Sequence, residues 1–496
     1  MSEGSTASSS LTRREALKAA VVIASLGAGS VLEGPDAYAA PASPAGRVAR
    51  AKPRSRRHRV AVIGAGTGGV AAGYFLSDTH DVDLFEARSR IGGHCDSRVI
   101  DYRGQRLTVD LGAQFFHPDT HPIYVTLLQQ LDLHDPARSG SGETLAAPAS
   151  LCIFPTAGGP PVFSSSNPLA TPQLAAGFLT YIQLARQAVL SDMPWETTVD
   201  AWIRSLSVGQ TFKDDIVYPW TTALIGSSRA DALRASARSI LQTFALEFPA
   251  NVAQGATTYN SRIGLQGNLQ RMLDRGPAAR VRRSTAVLAL RHQGAGWLVE
   301  TATGHHGPYR AVVLNAPPHV GRALLPTTPK FARRTALLSA YEYFDSRIVI
   351  HTDPTYVQRD RHNWAVYNAE INGRQCAGSV WYGALHQRLP SGATIDVFKS
   401  WAERRRPGPK HILLERRFKH PLINQRMIQA ARALRPLQGR DGLYFSGVYT
   451  TGFDSQESAV YSAMKVAESL APRSHTLASL KKLLAAHGLT GISYDL

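Results

Sequence analysis

Residues Arg59–Gly93 read RVAVIGAGTGGVAAGYFLSDTHDVDLFEARSRIGG, and this stretch decides the fold. Val60, Ala61, Val62 and Ile63 form an apolar run that reads as a strand buried on both faces. Gly64, Gly66 and Gly69 follow in G-x-G-x-x-G spacing, with Thr67 and Gly68 between them. Gly64 permits the tight turn, Gly66 lets backbone approach a pyrophosphate, and Gly69 lets the helix lie close to the strand. The helix that starts there offers free N–H groups and a positive dipole end to phosphates. A second strand, Val82–Phe85, ends at Glu86, about 20 residues beyond the glycines. A carboxylate at that place accepts hydrogen bonds from an adenosine ribose and repels a 2′-phosphate, which disfavours NADP. Strand, glycines, helix, strand and acid in this order specify a dinucleotide site, whereas the glycines alone would not.

The following residues choose the dinucleotide. Glu86-Ala87-Arg88-Ser89-Arg90-Ile91-Gly92-Gly93 resembles the double-glycine motif of the flavin-containing amine oxidase superfamily. Asp110-Leu111-Gly112-Ala113-Gln114 resembles that family's next segment, and Gly442–Gly447 with Glu457-Ser458-Ala459-Val460 resembles its C-terminal flavin motif. The resemblance implies FAD as cofactor. It implies an α/β fold: a Rossmann-like FAD-binding domain built from three segments, with an inserted α+β substrate domain. The expected limits are 59–134, 262–345 and 430–475 for the FAD domain, 135–261 and 346–429 for the substrate or cap domain, and 476–496 for a helical tail. The implied cofactor contacts are Gly64, Gly66, Thr67, Gly68, Gly69, Glu86, Ala87, Arg88, Gly92, Gly93, Gly112, Ala113 and Gln114. His94 joins them at a position where the family usually has Arg. Val287 is expected to meet the adenine through its backbone, and Gly447 to lie by the ribityl and pyrophosphate. The N–H groups of Glu457, Ser458, Ala459 and Val460 are expected to face the flavin pyrimidine, where negative charge collects on reduction. His351-Thr352-Asp353-Pro354 with Trp364–Asn368 resembles a bacterial subgroup of flavin oxidoreductases.

Length and composition agree with an enzyme of this size. The chain has 496 residues, 44% hydrophobic and 19% charged, enough for two or more domains with a large core. Its three cysteines, Cys95, Cys152 and Cys376, form neither a disulfide framework nor a metal spacing. Cys95 is read as small buried filler beside the double glycine, with flavin chemistry or thiol redox as the sharper alternative. Residues 1–39 read as a targeting segment: Thr12-Arg13-Arg14-Glu15-Ala16-Leu17-Lys18 resembles a twin-arginine motif, an apolar run to Leu32 follows, and Ala37-Tyr38-Ala39 ends it. The run is too short for a bilayer, which needs about 20 apolar residues. The expected location is therefore periplasmic or secreted, by a route that exports folded, cofactor-loaded proteins. Residues 40–58 and Arg59 form a linker rich in Pro, Ala and cations, part of a formal net charge of +18. It reads as solvated, with contact to an anionic surface as the sharper alternative. No nucleic-acid motif accompanies the charge.

Along the chain, Ile123–Leu133, Leu174–Leu190, Val199–Leu206, Phe212–Ile225 and Ala235–Phe248 carry helical spacing; all but the first form a helical cap. Gly140–Asn167 reads as loops or short strands. Val281–Leu290, Trp297–Thr301, Tyr309–Asn315, Arg347–His351, Asn363–Asn368 and Gly378–Tyr382 read as strands.

The resemblance also frames the chemistry. Classical members hold a lysine near flavin N5; alignment through Asp353-Pro354 puts Ser346, or with a one-residue slip Arg347, at that place. Catalysis without an active-site lysine is thus expected. Candidate groups around the ring are Gln114, Phe116, His117, Tyr259, His351, Tyr449 and Phe453, with His117 and Tyr449 singled out as catalytic. Three activities stay open: an FAD-dependent oxidoreductase taking hydride from a small or lipid-like C–H substrate, an amine included, with molecular oxygen as acceptor; a desaturase or double-bond isomerase acting on an unsaturated lipid or polyene; and a flavin-binding protein without turnover.

Overall fold

A computed structural model describes residues 57–496 apart from 136, 138–141, 168–170, 249–254, 278 and 386–388. The targeting segment and nearly all of the linker lie outside the described residues. The first element, β1 (Arg59–Ile63), runs parallel between β2 (Asp81–Phe85) and β13 (Ala311–Leu314). The sheet is completed by β9 (Arg280–Arg282) beyond β2 and β19 (Leu443–Phe445) beyond β13, giving the order β19-β13-β1-β2-β9. Its strands come from three distant parts of the chain, as expected. Helix α1 (Thr67–Leu76) covers one face, joined by α6 (Gly264–Arg275) and α8 (Gln456–Leu470). Val60, Val62, Phe75, Leu84, Val312, Leu314, Phe445 and Val460 share one core, which explains why the strands read as uninterrupted apolar runs.

The stretch expected as one strand over Val281–Leu290 is two. Ser284, with φ of 51°, turns the chain after β9. A new strand, β10 (Val287–Gln293), then opens an antiparallel sheet with β11 (Gly296–Thr301) and β12 (Gly304–Tyr309).

The second sheet has seven strands, ordered β18-β14-β17-β16-β15-β6-β7. These are β6 (Leu151–Pro155), β7 (Phe163–Ser164), β14 (Tyr343–His351), β15 (Tyr367–Asn372), β16 (Gln375–Trp381), β17 (Phe398–Trp401) and β18 (Ile412–Pro421). The helical cap packs beside it through α3 (Pro172–Leu190), α4 (Val199–Ser205) and α5 (Tyr218–Ile225). Residues 213–217 form a π-helical stretch leading into α5, within the expected helix over Phe212–Ile225. The expected helix over Ala235–Phe248 is helical only at Ala237–Leu241 and continues as turns.

Three domain limits shift. The 345/346 limit falls inside β14, and 429/430 falls inside α7 (Gln425–Leu434), whose Met427, Ile428 and Leu434 belong to the FAD-domain core. The hairpin of β3 (Ser97–Tyr102) and β4 (Gln105–Asp110) instead packs on the seven-stranded sheet through Ile100, Leu107 and Val109. The tail helix α9 (His475–Ala486) inserts Leu477, Leu480 and Leu484 into the FAD-domain core.

Candidate flavin site

The glycine turn has the shape its sequence demands. A Cβ on Gly69 would lie 1.9 Å from the Gly64 carbonyl oxygen, so helix and strand touch there. A Cβ on Gly66 would meet nothing nearer than the Asn315 amide at 3.4 Å. The turn is therefore closed at Gly69 and open at Gly66, which fits a pyrophosphate lying over Gly66 at the start of α1. Asn315, at the end of β13, donates to the Gly64 carbonyl at 3.1 Å and braces the turn. The double glycine stands beside it: the Gly92 N–H donates to the Ala65 carbonyl at 2.7 Å, and a Cβ on Gly93 would come within 3.2 Å of Gly66 Cα.

Glu86 accepts the Ala65 N–H and the Arg88 N–H, each at 2.9 Å. A carboxylate has about four lone-pair sites, so two remain for ribose hydroxyls. Ala87 and Arg88 are exposed at this rim. The Thr285 N–H donates to the Glu86 carbonyl at 2.8 Å, which carries the chain to Val287 beside the same rim. Thr67 and Cys95 touch beneath the helix start, Oγ1 to Sγ 3.4 Å; burial pushes the Cys95 thiol up to about 12, so it is inert filler.

Gly112 is required where it stands, since a Cβ would lie 1.7 Å from the His94 carbonyl oxygen. The Ala113 N–H donates to that same carbonyl at 3.1 Å, locking this segment to the double-glycine turn. Gly447, with φ of +118°, donates its N–H to Ser462 Oγ at 2.8 Å and lies against Asn315. The glycine turn, the double glycine and Gly447 thus meet around Asn315 as one cradle, with Glu86 holding the turn at Ala65. The features fit FAD: an acid with lone pairs left for a ribose, and an open glycine turn at a helix start for a pyrophosphate.

The sequence model of the flavin-containing amine oxidoreductases matches residues 67–414. This chain belongs to that family. FAD is its cofactor. Over 68 residues it is 38% identical to tryptophan 2-monooxygenase of Pseudomonas savastanoi, covering 13% of this chain. The match spans about 12% of the length of that relative. Among solved structures, a putrescine oxidase variant superposes with a TM-score of 0.60 at 14% identity, covering 84% of this chain and 99% of its own. Cyclohexylamine oxidase from Brevibacterium oxydans gives 0.58 at 14% identity, covering 86% and 100%. A fatty acid isomerase from P. acnes gives 0.57 at 13% identity, covering 84% and 100%. These likenesses show the fold.

Several expected contacts need correction. Glu457 is fully buried and does not face the cradle with its side chain. Its carboxylate accepts the Ile123 and Tyr124 N–H groups at 3.0 and 2.7 Å and the Tyr494 hydroxyl at 3.0 Å. The amides of Glu457 and Ser458 are capped by Ser455 Oγ at 3.1 and 3.4 Å, and that of Ala459 bonds the Ser455 carbonyl at 3.2 Å. In this first turn of α8 the three amides are thus already engaged by Ser455, and Val460 is buried behind them.

Tyr449 is an anchor, not a free acid or base. Its hydroxyl donates to the Leu314 carbonyl at 2.6 Å, and burial holds its pKa well above the ordinary range. His351 is likewise committed: Nε2 meets Ser400 Oγ at 2.8 Å and Nδ1 accepts the Asp353 N–H at 3.1 Å. His117 lies in the turn before α2 (Pro122–Gln130), 9% exposed. Its Nδ1 accepts the Asp119 N–H at 3.2 Å and its ring approaches Tyr259 at 6.1 Å. Burial lowers its pKa and Asp119 partly offsets this. Phe116 stacks on Tyr259 at 6.2 Å, and Phe453 approaches His121 at 6.1 Å.

The β14–β18 register resolves the lysine alignment. Ser346 pairs with Phe418 and is buried, whereas Arg347 points outward and grips Glu415 at 2.9 and 2.7 Å. The inward residue is Ser346. Yet a buried lysine does arrive, from β17. Lys399 lies opposite Ile350, on the inward face that Ser346 shares. Its ammonium donates to the Gly112 carbonyl at 2.5 Å and to Gln114 Oε1 at 3.2 Å. Burial lowers its pKa to about 8, with Asp110 opposing the shift. Burial raises Asp110 to about 6, while Ser97 at 2.5 Å and Lys399 favour its carboxylate. Lys399 thus brings a buried ammonium to the Gly112–Gln114 segment, on a strand that was not recognised in the sequence. Its four residues, Phe-Lys-Ser-Trp, are too short for a periodic signal.

Proposed function

We propose that this oxidoreductase takes hydride from a C–H bond of a small or lipid-like substrate, amines included. The observation that carries the reading is the convergence of the Gly66 cradle, Glu86 and Gly447 with a substrate-domain sheet set against Gly112 and His94. Bound FAD supplies the hydride acceptor. The chain supplies the rest. Phe344, Phe418 and Phe453 provide apolar surface that excludes water near the site. Lys399 holds the Gly112–Gln114 segment that approaches the cofactor. A short C–H approach of about 3–3.5 Å is then a matter of orientation, which rigid strands provide.

A redox-neutral double-bond isomerase is the second reading, favoured by the same rings, which suit an unsaturated chain; a fatty acid isomerase shares the fold. Anaerobic mixing with amines, amino acids and unsaturated fatty acids separates the two. Bleaching of the flavin absorbance by an amine or amino acid supports hydride transfer, and peroxide formed in air identifies oxygen as acceptor. Conversion of a fatty acid with the flavin never reduced at steady state or in stopped-flow traces rejects it in favour of the isomerase. Flavin that no compound bleaches or converts leaves a binding protein.

A further inference from the structure

Three side chains from separate parts of the chain meet beside the cradle: His94, His420 and Asp454. His94 follows the double glycine directly. His420 closes β18 of the substrate sheet. Asp454 lies between Gly447 and α8. The two imidazole centroids are 5.0 Å apart, and the Asp454 carboxylate is 3.5 Å from His420 Nδ1. Phe344 stacks on His420 at 5.5 Å, and Phe418 meets His94 edge-on at 5.2 Å. The His420 and Asp454 side chains are 24% and 30% exposed, so the recess they form with these rings is open to a ligand.

The charged surroundings divide cleanly. Burial, then His420, holds His94 down to about 4, so it is neutral near pH 7; Arg88 and Arg90 push the same way, and Asp454 opposes. Arg90 is itself paired with Asp96 at 2.9 Å. From β14, Tyr343 feels the Asp454 charge, and His319 lies edge-on to Tyr343 at 5.0 Å. Lys419 lies on the opposite face of β18 and pairs with Asp345 at 2.9 Å. Toward the recess itself, the chain thus presents one carboxylate and two imidazoles, a set of acceptors for an ammonium group.

We propose that His420, backed by Asp454 and packed against His94, is the base that takes the proton from a bound ammonium substrate. The proposal rests on the hydride reading and adds to it a catalytic residue. An ammonium nitrogen has no lone pair and cannot support hydride loss from its neighbouring carbon. His420 Nε2 accepts one N–H proton, and the bonding pair stays on nitrogen as a lone pair. The C–H bond then breaks, its electron pair leaving with hydrogen as hydride to the cofactor, and the nitrogen lone pair forms the C=N bond. The substrate is oxidised by two electrons, the flavin is reduced by two, and the proton rests on His420. The Asp454 carboxylate, 3.5 Å from His420 Nδ1, stabilises the imidazolium.

The test needs no turnover. tert-Butylamine carries no hydrogen on the carbon beside nitrogen, so it binds without being oxidised. Its titration into the flavin-loaded protein is followed by perturbation of the flavin spectrum, between about pH 5 and 8. In wild type, affinity is expected to fall by about tenfold per pH unit once His420 is protonated, because an imidazolium neither accepts the proton nor tolerates the cation. His420→Gln is expected to bind with an affinity flat over that range. Asp454→Asn, which keeps the imidazole but removes the carboxylate facing it, is expected to weaken binding. Flavin content and melting temperature of both variants certify their folding. The same pH dependence in wild type and His420→Gln would overturn the proposal, as would a flavin-loaded wild type that tert-butylamine does not perturb. Protein without flavin would instead mark failure of the cofactor reading.

Discussion

Lys399→Met removes a charge from the interior and keeps an unbranched stem, so it separates what this lysine does for folding from what it does for the site. Lys399 is 1% exposed. Burial takes its pKa from 10.5 to about 8. The difference is a factor of roughly 300 in proton affinity, or about 3 kcal/mol. The sign follows from which state binds the proton more weakly, and here it is the folded one. The ammonium therefore costs the folded state most below pH 8, where both states are protonated, and the cost fades as pH rises from about 8 to 10.5. Methionine removes that cost. It also leaves the Gly112 carbonyl and Gln114 Oε1 without this donor, a loss of about 1–3 kcal/mol per group. The opposing terms are of similar size, so urea midpoints at pH 7 should change little. The rise in stability of the wild type between pH 8 and 10.5 should vanish in the variant. The flavin spectrum should shift and flavin reduction should slow, because the Gly112–Gln114 segment is no longer held. A variant several kcal/mol less stable at pH 7, with an unaltered flavin spectrum and reduction rate, would refute this reasoning and make Lys399 a purely structural residue.

Gly66→Val places a branched side chain in the one open part of the turn, so the purified variant should lose its yellow colour while keeping its far-UV spectrum; retained flavin would show that the pyrophosphate does not lie there. Tyr449→Phe deletes the bond to the Leu314 carbonyl and should cost about 0.5–1.5 kcal/mol in a denaturant titration. Its flavin reduction rate should stay within a fewfold of wild type, and a drop of about 10²-fold or more would return Tyr449 to the catalytic set. We also propose export by the twin-arginine route: Arg13→Lys with Arg14→Lys keeps the charge but should leave the protein in the cytoplasm on fractionation, since a receptor reads the pair. Unchanged export would reject that reading.

The cofactor half of the site was legible because its constraints are local. Gly64, Gly66 and Gly69 act within a few residues of one another, and the apolar runs at β1, β2 and β13 announce strands buried on both faces. The substrate half was not. Lys399 and His420 lie on β17 and β18, which pair with β14 some 50 to 80 residues earlier. β18 reads Ile-Leu-Leu-Glu-Arg-Arg-Phe-Lys-His-Pro; most of it faces solvent, so alternation is weak and charge hides the strand. The same distance effect decided between Ser346 and Arg347. One residue of register moves every side chain to the other face, and only the partner strand fixes it. His117 and Tyr449 stood near motifs in the chain, but nearness in sequence carries no information about where a hydroxyl or ring nitrogen points. His94 was placed in the site by its position after the double glycine; its partners His420 and Asp454, hundreds of residues away, were invisible until the sheet existed.

Glu457 shows how the separated segments are closed into one body. It occupies the first turn of α8, and it accepts two N–H groups from the first turn of α2. Two helix N-termini therefore converge on one carboxylate. Each carries a positive dipole end, and without an anion between them they would repel. Burial opposes that charge strongly enough to push the acid up to about 7, yet the three donors, Tyr494 among them, favour the carboxylate. Tyr494 comes from the extreme end of the chain, past α9. Its hydroxyl ties the tail to the same oxygen that holds α2. The residues after 475 are thus part of the cofactor-binding body rather than an appendage. The direction of α8, and with it the field its N-terminus directs at the cradle, depends on a contact made about 40 residues later in the sequence.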